Sequence, residues 1–202
     1  MLTDTDGKLI DDLYAIQALK FGEFRLKSGV LSPFYVDLRV IISYPPILQA
    51  VAGRILAVLG PLQFQRIAGI PYAGLPIATA VSVAGNLPLI YARKEAKEYG
   101  TRKVIEGKFE PGEMVALIDD VITDGASKFE AAEPLLQAGL RVKDFAIFLD
   151  REQGGAERLR EKGYVLHSAL KISSVLTHLH ETGIVADDQL ARCREFIAQV
   201  RF

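Results

Sequence analysis

The stretch Met114-Val-Ala-Leu-Ile-Asp-Asp-Val-Ile-Thr-Asp-Gly-Ala-Ser127 decides how the rest of the chain is read. Met114 to Ile118 is apolar without alternation, the pattern of a strand buried on both faces of a parallel sheet. Two acids, Asp119 and Asp120, follow at its carboxyl end, then small and hydroxyl residues from Thr123 to Ser127. An amphipathic helix is expected from about Lys128 to Ala138. A strand that passes through a small-residue turn into a helix start gathers backbone N–H groups, and the helix dipole favours an anion there. The adjacent acids would repel that anion and suit hydroxyls instead, such as the two on a ribose. A phosphate and a diol held by one site point to a ribose 5-phosphate unit.

Strands and helices alternate on either side of this stretch. Upstream, apolar residues at Leu9, Ile10, Leu13 and Ile16 make a helical stripe over Leu9 to Leu19. Phe24 to Leu26 and Phe34 to Val40 read as short strands around Lys27-Ser28-Gly29. Pro45 and Pro46 open a helix to about Leu59, where proline is well placed. Arg66 to Ile70 is a buried strand that meets Pro71-Tyr72-Ala73-Gly74 and a helix through Ala84. Leu87 to Ala92 is another, and runs into a charged segment. Between Arg93 and Lys108 stand six cations and three acids, the makings of a solvated loop or of a basic lid over a polyanion. Val104 to Phe109 alternates and is expected to pair antiparallel, with Pro111-Gly112 as the turn.

Downstream, Asp144 to Leu149 is a buried strand ending in Asp150-Arg151-Glu152-Gln153-Gly154-Gly155. A helix over Ala156 to Lys162 and a strand over Tyr164 to Leu170 follow. Ser173 or Ser174 is expected to cap a helix to Glu181, and Asp187 to start a last helix to Val200. This alternation predicts an α/β fold with a mostly parallel sheet covered on both faces. Tyr72, Arg93, Asp119, Asp120 and Arg151 all fall where strands end, the edge at which open α/β sheets bind ligands.

At 202 residues, half of them hydrophobic, the chain suits one domain, residues 1–202. A net charge of −1 supplies no global field for nucleic acid or an anionic membrane. Cys193 is the one cysteine, so no intrachain disulfide is possible, which fits a reducing cytoplasm. The polar N-terminus does not read as a signal peptide, and no apolar run approaches the ~20 residues of a membrane helix. His178 and His180 stand two apart on a helix and share no face, which argues against a metal site there.

The acid-pair loop resembles the PRPP-binding motif of type I phosphoribosyltransferases. Further segments are similar to the orotate phosphoribosyltransferases and to the transferase half of the animal UMP synthases. These are Phe-Gly-Glu-Phe-Arg-Leu-Lys-Ser-Gly from Phe21, Ser-Pro-Phe-Tyr from Ser32, Pro-Tyr-Ala-Gly-Leu-Pro-Ile-Ala from Pro71, Arg-Lys-Glu-Ala-Lys from Arg93 and Leu-Asp-Arg-Glu-Gln-Gly-Gly from Leu149. The resemblance implies a type I phosphoribosyltransferase fold with a small hood, formed by about residues 1–40 and C-terminal elements, and a flexible basic lid loop. It implies transfer of phosphoribose from PRPP to orotate, giving orotidine 5′-monophosphate and pyrophosphate, with Mg²⁺ held by PRPP and water rather than by side chains. Asp119 and Asp120 are implied at the ribose hydroxyls. The residues Val121, Ile122, Thr123, Asp124, Gly125, Ala126 and Ser127 are implied around the 5-phosphate. Tyr72, Ala73, Arg93 and Lys94 would face the pyrophosphate, with Lys97 as the catalytic lid cation and Tyr99 beside it. Lys27, Phe34, Tyr35, Thr123 and Arg151 would contact orotate. The implied assembly is a homodimer whose lids cross between subunits. The other half of a UMP synthase, a decarboxylase barrel of ~250 residues, has no room in this chain, so a separate decarboxylase is an expected associate.

Two positions depart from the family pattern. Many bacterial members carry His where this chain has Tyr99, and a phenol with a reference pKa of about 10 is a poor proton shuttle. Asp124 stands where a small or hydroxyl residue is usual. It either caps the helix or repels the phosphate. Two other functions compete. A transferase for another base would need no carboxylate partner such as Arg151. A PRPP-sensing regulator would be expected to lose the lid cations or the acid pair.

Overall fold

The computed structural model describes residues 2–26, 29–94 and 104–201. Helix α1 (Asp4–Ala15) leads into a hairpin of β1 (Leu19–Arg25) and β2 (Leu31–Val36). A 3-10 helix (Leu38–Ser43) and α2 (Pro45–Leu59) connect it to β3 (Arg66–Gly69), α3 (Gly74–Gly85) and β4 (Leu89–Ala92). Then come β5 (Ile105–Glu106), β6 (Met114–Ile122), α4 (Ala126–Gln137), β7 (Arg141–Asp150), α5 (Gly155–Glu161) and β8 (Val165–Lys171). Helices α6 (Ile172–Glu181) and α7 (Asp187–Gln199) close the chain.

The six-stranded sheet has the order β5-β4-β3-β6-β7-β8 and is parallel except for the β4–β5 pair. β6 is central, so its apolar residues are covered twice. Ala116 and Ile118 pack with Val51 and Ile55 of α2 and Ile77 of α3. Val115 and Leu117 pack with Ala132 and Leu135 of α4 and Leu159 of α5. The pleat alternation of a strand explains both faces. The β1–β2 hairpin leans on the C-terminal helix, where Phe34 meets Phe196 edge-on at 5.8 Å.

Several boundaries differ from those expected. α1 begins at Asp4 because Thr3 and Asp6 form a capping box, which the apolar stripe does not report. Leu19 opens β1 rather than ending α1; Gln17, at φ 61°, turns the chain between them. β2 stops at Val36, not Val40. Asp37 accepts a hydrogen bond from the Arg39 N–H at 3.2 Å and starts the 3-10 helix. The antiparallel strand over Val104 to Phe109 is only Ile105–Glu106. Neither Ser173 nor Ser174 caps α6. The Ser173 N–H donates instead to Glu152 Oε2 at 2.8 Å, a carboxylate from a distant loop.

The largest difference lies at β6. The acids do not follow the strand; they belong to it. Pairing with β7 continues through Asp119↔Ile147 and Ile122↔Asp150. The loop shrinks to Thr123–Gly125, and α4 starts at Ala126 rather than Lys128.

Candidate active site

The acids of β6 are held differently. Asp119 is 6% exposed. Its Oδ1 accepts the Asp120 N–H at 2.9 Å, and its Oδ2 accepts Lys128 Nζ at 2.7 Å. A Cβ on Gly74, the first residue of α3, would stand 2.9 Å from Asp119 Oδ1 and 2.7 Å from the Ile118 carbonyl. Glycine at that position lets α3 close over the strand. Asp120 is half-buried, and its Oδ1 accepts the Val121 N–H at 2.8 Å. Burial and then the Asp119 charge push its carboxyl up to about 7. Lys128 was expected only as a helix-start residue. A lone lysine in a helix gives no sequence signal that it folds back to a strand.

Gly125 makes the turn at φ 82°, in the left-handed region. Asp124 Oδ1 accepts the Ala126 N–H at 3.2 Å, and Oδ2 pairs with Arg158 at 3.1 Å. It therefore caps the helix start, and one N–H of the cradle is already in use. Val121 and Ile122 also turn inward: the Val121 carbonyl accepts from Lys128 and the Ile122 carbonyl from the Arg151 N–H. Ile122 is fully buried. Thr123 is half-buried and Ser127 exposed, so both reach the site edge.

A second loop braces the first. The Gly155 N–H donates to the Thr123 carbonyl at 2.9 Å. Asp150 Oδ1 accepts the Glu152 N–H at 2.8 Å, and Gln153 Nε2 donates to the Val200 carbonyl at 3.0 Å. Glu152 and Gln153, neither singled out from the sequence, thus tie this loop to α6 and to the end of α7. Their partners lie 21 and 47 residues away, beyond any local pattern. In the same loop, Arg151 is 9% exposed, with its guanidinium 5.0 Å above the Phe34 ring. Its Nε and one terminal nitrogen are buried with no hydrogen-bond partner among the described residues. Burial pushes its pKa down to about 10, so it stays charged at neutral pH.

Phe34, only 2% exposed and packed between Phe196 and Arg151, supports the guanidinium rather than presenting a face to a ligand. Tyr35 is half-buried beside it, 5.5 Å from Phe24 between ring centres, and its hydroxyl accepts from Arg39 at 3.4 Å.

On the other side, a cleft of ≈ 310 Å³ brings Arg93, Lys94 and Ser127 to one opening. Arg93 pairs with Glu106 at 3.2 Å across the β4–β5 pair. Lys94 lies 5.1 Å over the Tyr72 ring, which is 65% exposed. Ala73 immediately precedes α3. The peptide between Pro71 and Tyr72 is cis. Lys27, Lys97 and Tyr99 lie outside the described residues. Cys193 is a buried residue of α7, and burial pushes its thiol up. Among the described residues no three His, Cys, Asp or Glu side chains gather as a metal cage, and no helix is long and apolar enough to cross a membrane.

No protein-family model matches the chain. It is 42% identical over 198 residues to the uridine 5′-monophosphate synthase of Bos taurus, covering 97% of this chain and 41% of that protein. It is 38% identical over 194 residues to the orotate phosphoribosyltransferase of Pyrobaculum aerophilum, covering 96% of this chain and all of that one, 100%. Among solved structures, UMP synthase of Leishmania donovani matches with a TM-score of 0.88 at 39% identity, over 96% of this chain and 42% of its own. Orotate phosphoribosyltransferase from Aeropyrum pernix matches with a TM-score of 0.76 at 29% identity, over 88% and 99%. The chain thus spans about two fifths of the UMP synthases and the full length of shorter relatives. With its acid pair, short loop and parallel sheet in the type I phosphoribosyltransferase arrangement, the chain belongs to the orotate phosphoribosyltransferase family.

Proposed function

We propose that this chain transfers the 5-phosphoribosyl group from PRPP to orotate, giving orotidine 5′-monophosphate and pyrophosphate in pyrimidine nucleotide synthesis. The observation that carries the reading is Arg151. A buried guanidinium with unpartnered nitrogens is costly unless an anion joins it. A planar carboxylate matches its fork with two parallel hydrogen bonds, and orotate carries one. Adenine, hypoxanthine and uracil do not.

The remaining groups fit the two ends of PRPP. The Thr123–Gly125 turn and the α4 N-terminus at Ala126 and Ser127 suit the 5-phosphate. The β6 acids suit the ribose diol, where their charge also favours the cation that builds on C1 as the pyrophosphate bond loosens. Tyr72, Arg93 and Lys94 suit the pyrophosphate, with Arg93 exchanging Glu106 for the phosphate oxygens. Catalysis on this reading is positioning and electrostatics rather than covalent chemistry. Mg²⁺ bound with PRPP would add positive charge at the leaving pyrophosphate. By the family likeness its ligands would be PRPP oxygens and water.

The same family likeness supports a two-fold dimer in which Lys97, with Tyr99 beside it, serves the neighbouring subunit's site. The likeness to UMP synthases, of which this chain spans about two fifths, also supports association with a decarboxylase. The test is pyrophosphate release from PRPP with orotate, adenine, hypoxanthine or uracil as acceptor. Release is expected with orotate alone. Equal release with uracil would overturn the reading, because uracil differs in lacking the carboxylate.

A further inference from the structure

Lys128 is the third residue of α4 and 3% exposed. A cation in the first turn opposes the helix dipole. A buried ion pair also gives little stability that an apolar side chain of the same volume would not. Fold stability therefore offers no reason for a lysine here; its contacts do. The ammonium donates to Asp119 Oδ2 at 2.7 Å, the Val121 carbonyl at 2.6 Å and Ser127 Oγ at 3.3 Å. Those three bonds match its three protons, so none is left for a phosphate. Asp119 is equally occupied, by the Asp120 N–H on one oxygen and by Lys128 on the other. Asp120 is less committed, with a single backbone donor on Oδ1.

We propose that Lys128 is a positioning residue: it neutralises Asp119 and fixes it in place, so that Asp120 is the acid of the pair that receives the ribose diol. This rests on the phosphoribosyl transfer proposed above. The charges around Asp120 give the assignment a measurable signature. Asp119 beside it on β6 opposes its ionisation, Lys128 from α4 favours it, and Arg39 from the 3-10 helix lies within electrostatic reach. A carboxylate accepts both hydroxyls of a diol, whereas a protonated carboxyl carries a competing O–H. Loss of the Lys128 charge therefore protonates the working acid at a higher pH. The bond to Ser127 also ties the phosphate end of the site to the diol end.

The experiment compares Lys128→Met, Asp119→Asn, Asp120→Asn and the Asp119→Asn/Lys128→Met pair, each checked for folding by circular dichroism. Asp120→Asn should lose about 100-fold in kcat/KM for PRPP, and Asp119→Asn about tenfold. Lys128→Met should move the acid limb of the kcat/KM profile for PRPP upward by about one pH unit, with the KM for orotate unchanged. The double variant should bring that limb back toward wild type, since both charges of the pair are gone. A Lys128→Met profile that is scaled down without moving, or equal losses for the two Asn variants, would overturn the proposal. If Lys128→Met does not fold, Lys128→Gln keeps a donor without the charge and should move the limb the same way; an unmoved limb overturns the proposal. Should wild type form no pyrophosphate with orotate, the transfer reading fails separately. Calorimetry of ribose 5-phosphate binding in buffers of different ionisation enthalpy then decides. Proton release should be larger in Lys128→Gln than in wild type, and equal release overturns the role of Lys128.

Discussion

Arg151 is a cation kept from water by its own loop, and its worth depends on what it meets. Removing it takes away the only described charge placed for a buried carboxylate on the base side. Arg151→Ala should lower kcat/KM for orotate by about 2–4 kcal/mol and change PRPP affinity much less; unchanged orotate kinetics in a folded variant would remove Arg151 from the base site. Asp124 is a different case. Its carboxylate accepts the Ala126 N–H and pairs with Arg158, so it is turned to the helix start and away from repelling a phosphate. Asp124→Thr should leave PRPP affinity unaltered and cost about 1 kcal/mol of stability, read by denaturant unfolding. Tighter PRPP binding at low salt would mean that the carboxylate does face the phosphate. Asp120, pushed up to about 7, gives a pH effect with a definite sign. The folded chain holds its proton above the reference value of 3.8, so between about pH 4 and 7 folding takes up a proton. Stability of the ligand-free chain therefore falls as pH rises through that window. Asp120→Asn should raise stability at pH 8 by on the order of 1–3 kcal/mol, and by little near pH 4. An equal gain at both pH values would rule out the charge as its cause.

At the scale of elements, the site is two loops pressed together at the carboxyl edge of β6 and β7. Their distance is set by Gly155. A Cβ there would lie 2.6 Å from Ile122 Cγ1 and 2.8 Å from the Thr123 carbonyl, one of them backbone. Gly155→Ala should push the phosphate loop outward, costing about 1–3 kcal/mol of stability and raising the KM for PRPP more than that for orotate. The same KM for PRPP as wild type would show that the loops tolerate separation. Glu152 links this pair to α6, since its carboxylate accepts the Ser173 N–H from the neighbouring end of β8 and α6. The backbone of Arg151, the Thr123–Gly125 loop and the C-terminal helices are thus joined in one connected set of hydrogen bonds, which holds the Arg151 loop in place.

At the scale of the whole molecule, the prediction concerns assembly. If each site borrows Lys97 from a neighbour, Lys97→Ala and Asp120→Ala should both be impaired as homodimers. Unfolded together and refolded, they should regain activity. With random pairing half the dimers are mixed, and each mixed dimer has one site with both defects and one with neither, so about a quarter of all sites should work. A mixture as inactive as its parents, while refolded wild type recovers, would mean that each chain supplies its own cation.

Local chemistry settled the sheet strands, most helices and the position of the acid pair at the carboxyl edge, because hydrophobic period and helix-start residues act over a few neighbours. The place of Arg151 just past a strand and the Thr123–Gly125 turn were legible for the same reason, whereas Ala126 and Ser127, expected in the turn, open α4 instead. Tertiary structure decided what those side chains face. Pairing with β7 carried β6 past its acids, and no local signal reports how long a neighbouring strand will be. Lys128 bonding to Asp119, Glu152 capping α6 and Gln153 holding the end of α7 are contacts between segments distant in sequence or across a turn. Which of two adjacent acids is already neutralised is settled by where a third, charged side chain comes to rest, and that follows only once β6 and α4 have packed together.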